Sequence, residues 1–249
     1  MRRKFSALII AIIVACTLLP SVLVLAKQDK EPRQLEKMVI IHYKKGHAKP
    51  PGTPGAKPPK DDGDYTFLAK GVKWKTTVTL VIDPDYSGQS EQFIFNTFKV
   101  SAEEWDSHTG ATLFDYSGFI IDHDTTWDDE PEETDGRNEL LFGPYSDPKV
   151  IAVTVVWGYF NAPPKYREIV EFDILFNTAY TWGDADIDNS LMDVQNIATH
   201  ELGHGLGLGD LYQTTAWQET MYGYSDNGET MKRDLYLGDI AGIQALYGK

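Results

Sequence analysis

The chain has 249 residues, 42% of them hydrophobic, enough for one well-cored domain with appendages and too few for two full domains. Its net charge of −14 is unevenly placed: residues 27–64 carry nine Lys/Arg against six Asp/Glu, and residues 65–249 carry eleven against thirty-one. So acidic a surface repels nucleic-acid phosphates and argues against polynucleotide binding, while it suits a soluble, exported protein. Cys16 is the single cysteine, so any metal downstream of it must be held by His, Asp or Glu.

At the N-terminus, Arg2, Arg3 and Lys4 precede an apolar run from Phe5 to Ala26 that closes on Val24-Leu25-Ala26. This is the pattern of an export signal over residues 1–26, with a mature start near Lys27 and a secreted product. If left uncut, the run is long enough to anchor the chain in a membrane. Residues 27–64 combine a short amphipathic piece, LEKMVIIHYKK, with a Pro-, Gly- and Lys-rich stretch whose composition does not favour packing. They are expected to be a propeptide or a flexible linker, and residues 65–249 the catalytic domain.

Within the domain, Thr76 to Ile82 is rich in β-branched residues and reads as the first strand. Ser90 to His108, with Phe93, Phe95, Phe98, Val100 and Trp105 among acids, reads as an amphipathic helix. Leu140–Phe142, Val150–Trp157 and Ile169–Phe176 follow as strands. A further helix starts at Asp193 as N-cap, and a last one spans Leu237–Tyr247 with Ile240, Ile243 and Leu246 on one stripe. This order implies an α+β fold, a mixed sheet with helices packed on it. The acidic stretch Asp122–Glu139 is expected to be a surface loop. It and Asp184, Asp186 and Asp188 are candidate calcium sites, competing with a plain solvated reading.

The motif that carries chemistry is His200-Glu-Leu-Gly-His-Gly-Leu-Gly-Leu-Gly-Asp210. Four residues apart on a helix, His200 and His204 face the same way and reach one ion, while Glu201 sits beside them where a general base contacts water rather than metal. Gly207 tolerates positive φ, so the helix can end there and the chain can turn back to bring Asp210 in as a third ligand.

This HExxHxxGxxD pattern resembles the metzincin metalloproteases, in the variant with aspartate as third ligand found in the snapalysin group. Thr220-Met221-Tyr222-Gly223 resembles their Met-turn, and Leu237 to Gly248 the C-terminal helix of the matrixins. Gly71–Trp74, Ala102–Trp105 and Phe172–Asn177 before Trp182 are similar to the matrixin layout as well. The resemblance implies a metzincin-like twisted sheet, an active-site helix and one catalytic zinc on His200, His204 and Asp210. It implies Glu201 as the base that activates a zinc-bound water, and Met221 as a packed floor. Substrate would lie extended along Val150–Trp157 as an edge strand, with Val153, Val155, Tyr222 and Tyr224 as its contacts. Two family features find no counterpart: no cysteine exists outside the signal to act as a latency switch, and no histidine lies in Val150–Phe176 for a structural zinc.

The expected activity is therefore hydrolysis of peptide bonds in extended or unfolded protein substrates by a monomeric zinc endopeptidase. The competing classes are an exported binding module on the same fold, catalytically silent, and a zinc hydrolase with a non-protein substrate. Retention of Glu201 together with all three ligands speaks for the peptidase. His108 and His123 read as surface residues. His42 and His47 stand in the basic segment before an acidic domain, which suggests a propeptide held partly by charge with His47, Asp61 or Asp62 capping the zinc.

Overall fold

In the computed structural model the described residues are 34–46, 65–127 and 134–249, all within one unit, Pro32–Lys249. The signal, Cys16, His47, Asp61 and Asp62 lie outside them. In chain order the strands are β1 (Glu36–Lys44), β2 (Thr66–Phe67), β3 (Val81–Ile82), β4 (Ile120–Ile121), β5 (Glu139–Gly143), β6 (Val150–Gly158), β7 (Ile169–Asn177), β8 (Trp182–Gly183), β9 (Met192–Asp193), β10 (Leu208–Gly209) and β11 (Tyr224–Ser225). The helices are α1 (Glu91–Ser107), α2 (Val194–Gly205) and α3 (Leu237–Tyr247).

Seven strands form one mixed sheet in the order β11-β1-β6-β7-β5-β3-β4, and β10-β2 and β8-β9 make two small ribbons. This is the α+β architecture expected. Alternation decides what each face of the sheet meets. In β6, Ala152 and Val156 join the main core beneath the helices, whereas Val153, Val155 and Trp157 pack with Ile41 and Tyr43 in a second apolar cluster on the opposite face. The main core is an aromatic stack of Phe98 from α1 on Phe142 and Phe176, their ring centroids 5.0 to 6.0 Å apart, closed by Trp182. The α1 side chain Trp105, fully buried, donates from its indole to the Thr199 carbonyl at 2.8 Å and so ties α1 to α2.

The three helices fall where periodicity placed them, with Ser90 and Asp193 as N-caps accepting from Phe93 and Asn196. Two expectations change. Only Val81–Ile82 of the stretch 76–82 is strand, with Val78 in an isolated bridge to Phe114. And β6 is not at the edge of the sheet, because β1, from the segment expected to stand apart as propeptide or linker, pairs antiparallel along it, from Glu36 opposite Gly158 to Tyr43 opposite Val150. The outer side of β1 then pairs parallel with β11. No helix among the described residues is long and apolar enough to cross a membrane.

Candidate active site

The α2 helix stops at Gly205, and Gly207 takes φ +107°, a left-handed conformation that glycine adopts without steric cost. The carbonyls freed at its end are taken up by distant side chains. Trp74 donates its indole N–H to Gly205 at 2.8 Å and Tyr247 its hydroxyl to Leu206 at 2.9 Å. The reversal sends Leu208–Gly209 antiparallel to Thr66–Phe67 and delivers Asp210 to the two helix histidines.

His200 Nδ1 bonds the Thr220 carbonyl at 2.6 Å and His204 Nδ1 the Leu208 carbonyl at 3.0 Å. A carbonyl only accepts, so each Nδ1 carries the proton and each Nε2 presents a lone pair. Those two Nε2 atoms face each other at 3.1 Å, and Asp210 Oδ1 stands 3.2 and 3.4 Å from them. Three buried lone-pair donors aimed at one point are a group that could hold a cation. Tetrahedral zinc with ligands at about 2.0–2.1 Å spaces them about 3.3–3.4 Å apart, close to the triangle seen here. Burial holds the His200 imidazole down to about 3, whereas against burial the Asp210 carboxylate raises His204 above the ordinary histidine value. The second Asp210 oxygen, Oδ2, accepts from the Tyr212 hydroxyl at 2.7 Å, which orients the carboxylate with Oδ1 inward.

Glu201 is fully buried, and both its oxygens are engaged: Oε2 accepts from Thr154 Oγ1 of β6 at 2.6 Å, and Oε1 meets His42 Nδ1 of β1 at 2.8 Å. Burial pushes its pKa up, against the pull of His200, His204 and Thr154. Neither Thr154 nor His42 was expected in these roles. For Thr154 the available signal was parity, since it alternates with Val153 and Val155 in β6.

Residues 116–248 match the family profile of the matrixins, Peptidase_M10. The chain belongs to the matrixin family. Metalloendoproteinase 1-MMP of Arabidopsis thaliana is 42% identical over 76 residues, 29% of this chain and 20% of that protein. Matrilysin of Homo sapiens is 48% identical over 52 residues, 21% of this chain and 18% of its own length, and matrilysin of Rattus norvegicus 38% over 77 residues, 31% and 27%. The alignments thus span about a fifth to a quarter of these relatives.

The turn around Met221 packs against the active-site helix of this matrixin. Met221 is buried with its sulfur against Gly203, the residue before His204, in a space that a Cβ at Gly203 would fill. The Asp239 carboxylate holds the turn by accepting from the Thr220 and Met221 amides at 2.6 and 3.0 Å. Lys232, buried behind the strand that follows, donates to the Tyr222 carbonyl at 2.5 Å, and to the Tyr224 carbonyl and Ser225 Oγ each at 2.7 Å. Tyr222 and Tyr224 stack edge to face, 5.7 Å apart, in that wall. Val153 and Val155 face away from Glu201, so what they offer a peptide is backbone, here taken by Ile41 and Val39.

Of the candidate calcium positions, Asp184 and Asp186 are engaged by a guanidinium. Arg233 pairs with Asp184 at 2.6 Å, with Asp186 at 2.7 Å and with Asp193, while Asp188 accepts from the Ser190 amide. Of the acidic loop, residues 128–133 lie outside the described set; Asp122 pairs with Arg137. His123 is half-exposed beside Asp85, and His108 pairs with Glu104 on α1.

Proposed function

We propose that this matrixin is a secreted, zinc-dependent endopeptidase that cleaves extended or unfolded protein segments, with His200, His204 and Asp210 as metal ligands and Glu201 as general base. One observation carries the reading: two proton-locked imidazoles and a carboxylate converge on one point beside a buried glutamate, between two strand edges that can hold a peptide. Zinc held there supplies Lewis acidity, lowering the pKa of water toward about 7 and polarising a scissile carbonyl.

The chain's own residues do the rest. Thr154 fixes one oxygen of Glu201, leaving the other for the proton of the attacking water, which Glu201 then passes to the leaving amine. Its raised pKa keeps that proton transferable in both directions. Backbone edges of β6 and β11 hold the peptide antiparallel and parallel respectively, which selects unfolded segments over folded ones. Export through residues 1–26 fits the reading, as does an acidic domain that ignores nucleic acid.

The test is hydrolysis of denatured casein by zinc-loaded protein, run on the full chain and on a Val39→Pro/Ile40→Pro variant that breaks β1, each with and without Glu201→Gln. Removing the base is expected to cost about 10²–10⁴-fold with zinc content unchanged. Equal rates with and without Glu201→Gln, or no hydrolysis in any form, would refute the assignment.

A further inference from the structure

We infer that Glu36–Lys44 is a built-in competitor of substrate: it fills the peptide groove between β6 and β11, and its His42 masks the base Glu201. The inference rests on the peptidase reading for what is masked, and on geometry alone for the masking.

The strand lies with both neighbours paired, antiparallel to β6 over eight partner positions and parallel to β11 through Tyr43 and Lys44. Both of its ends are fastened. Asn161 Nδ2 donates to both Glu36 carboxylate oxygens at 2.8 and 3.0 Å, and Lys44 Nζ pairs with Asp226 at 3.1 Å and donates to Asn227 Oδ1 at 3.0 Å. Alternation turns His42 and Ile40 inward and Ile41 and Tyr43 outward. The regular register from Glu36 places His42 opposite Ala152, and a bulge follows between His42 and Tyr43. Its nitrogen, a His200 nitrogen and a Glu201 oxygen all lie within 4.8 Å of one another, and its ring centroid is 4.0 Å from that of His200.

Two features separate this strand from an ordinary member of the sheet. With Nδ1 given to Glu201, His42 Nε2 is buried without a hydrogen-bond partner among the described residues, a cost that a strand serving only to extend the sheet avoids with an apolar side chain. And with Thr154 on Oε2 and His42 on Oε1, both Glu201 oxygens are engaged, so a water proton must compete with the imidazole for Oε1. A substrate must enter the same groove and displace the imidazole. The occupant is therefore a peptide of this chain, held by main-chain pairing and a His–Glu contact, in a protein that has no cysteine outside its first 26 residues to do the same.

The experiment uses the zinc-loaded full chain in three forms: wild type, His42→Ala, and Val39→Pro/Ile40→Pro. Consecutive prolines are chosen because ladder bonds alternate along an antiparallel strand, so one of the two must delete a donor. Three quantities are read: hydrogen exchange of the β1 amides, hydrolysis of a quenched peptide, and binding in trans of a labelled peptide LEKMVIIHYKK. The wild type should protect β1 and cleave slowly. His42→Ala should cleave at least tenfold faster, and the proline variant should lose β1 protection and bind the labelled peptide at least tenfold more tightly than the wild type. A labelled peptide carrying alanine at its histidine should bind the proline variant more weakly. Equal hydrolysis by wild type and His42→Ala, or equal trans binding by wild type and the proline variant, overturns the inference. Should the proline variant fail to bind one zinc per chain, the His42→Ala comparison decides alone. Peptide capture by the proline variant without hydrolysis by any form leaves the groove inference standing and removes the peptidase reading. Hydrolysis that is equal in all forms does the reverse.

Discussion

Replacing Tyr212 by phenylalanine isolates what orients Asp210, the third metal ligand proposed above. The ring is retained, so its edge contact with Tyr224, 5.3 Å between centroids, and its close fit against Gly223 persist. The 2.7 Å bond from the hydroxyl to Asp210 Oδ2 is lost. A hydrogen bond to a charged partner contributes about 1.5–3 kcal/mol, and loss of a bond that orients a metal ligand lowers affinity about 10–100-fold, so the two scales agree on about 1.4–2.7 kcal/mol. The cost should appear on the metal-bound form, because Asp210 can turn only if the metal is not holding it. Zinc affinity measured by competition with a chromophoric chelator should fall by that factor, and the gain in Tm on adding zinc should shrink, with the metal-free Tm within about 2 °C of wild type. Unchanged zinc affinity would refute the orienting role. An equal drop in Tm with and without zinc would show that the hydroxyl serves packing instead.

Gly203→Ala should lower Tm by about 2–8 °C, since the new Cβ lies 2.7 Å from Trp105 Cζ2 and presses on the Met221 sulfur, an overpacking cost that exceeds the helix-propensity gain by about 1–2 kcal/mol. Gly207→Ala should cost more than about 2 kcal/mol by denaturant titration, because it combines a positive φ with a Cβ 2.8 Å from the Val72 carbonyl oxygen; a loss below about 1 kcal/mol would contradict the turn geometry. Glu219 is pushed up to about 8 by burial and then by Asp239 beside it, against an ordinary value of 4.5. The folded state keeps a proton that the unfolded chain releases, so this contribution is complete below about pH 4.5 and is lost as pH rises through about 8. Glu219→Gln, whose amide oxygen still accepts from Gly238 and Asp239, should flatten that decline, and identical slopes in wild type and variant would exclude the pair as its source.

The helices and the convergence of His200, His204 and Asp210 were legible because their information is local. Apolar spacing fixed α1 and α3, Asp193 marked the start of α2, and Gly207 announced its reversal, each within a turn or two of the residues concerned. The residues that complete the site were hidden because their partners are remote in sequence. Thr154 is 47 residues from Glu201 and His42 is 159. The strand β1 was visible as an amphipathic piece, but its Pro- and Gly-rich sequel gave the whole segment the look of a tether, and nothing local says which edge an isolated strand will join. Val153 and Val155 were named as contacts of a peptide lying along the strand, whereas parity assigns the inner face to their neighbour Thr154. Thr76–Val78 has strand composition without a strand partner beyond the Val78–Phe114 bridge, since propensity records only fitness for a pleated surface.

Register, rather than composition, is what makes the first strand relevant to catalysis. Side chains in a strand alternate, so sliding β1 by one residue along β6 would turn His42 outward and present Ile41 or Tyr43 to Glu201, leaving the glutamate without its imidazole partner. Three features oppose that slip: the asparagine clasp on Glu36 at one end, the Lys44–Asp226 pair at the other, and the bulge after His42 that a shifted pairing would have to move. A strand recruited merely to cover an exposed edge needs apolar alternation and no such pinning. A strand whose single inward histidine must meet one buried carboxylate needs all of it, and the placement of these contacts at both ends and at the bulge is what that requirement predicts.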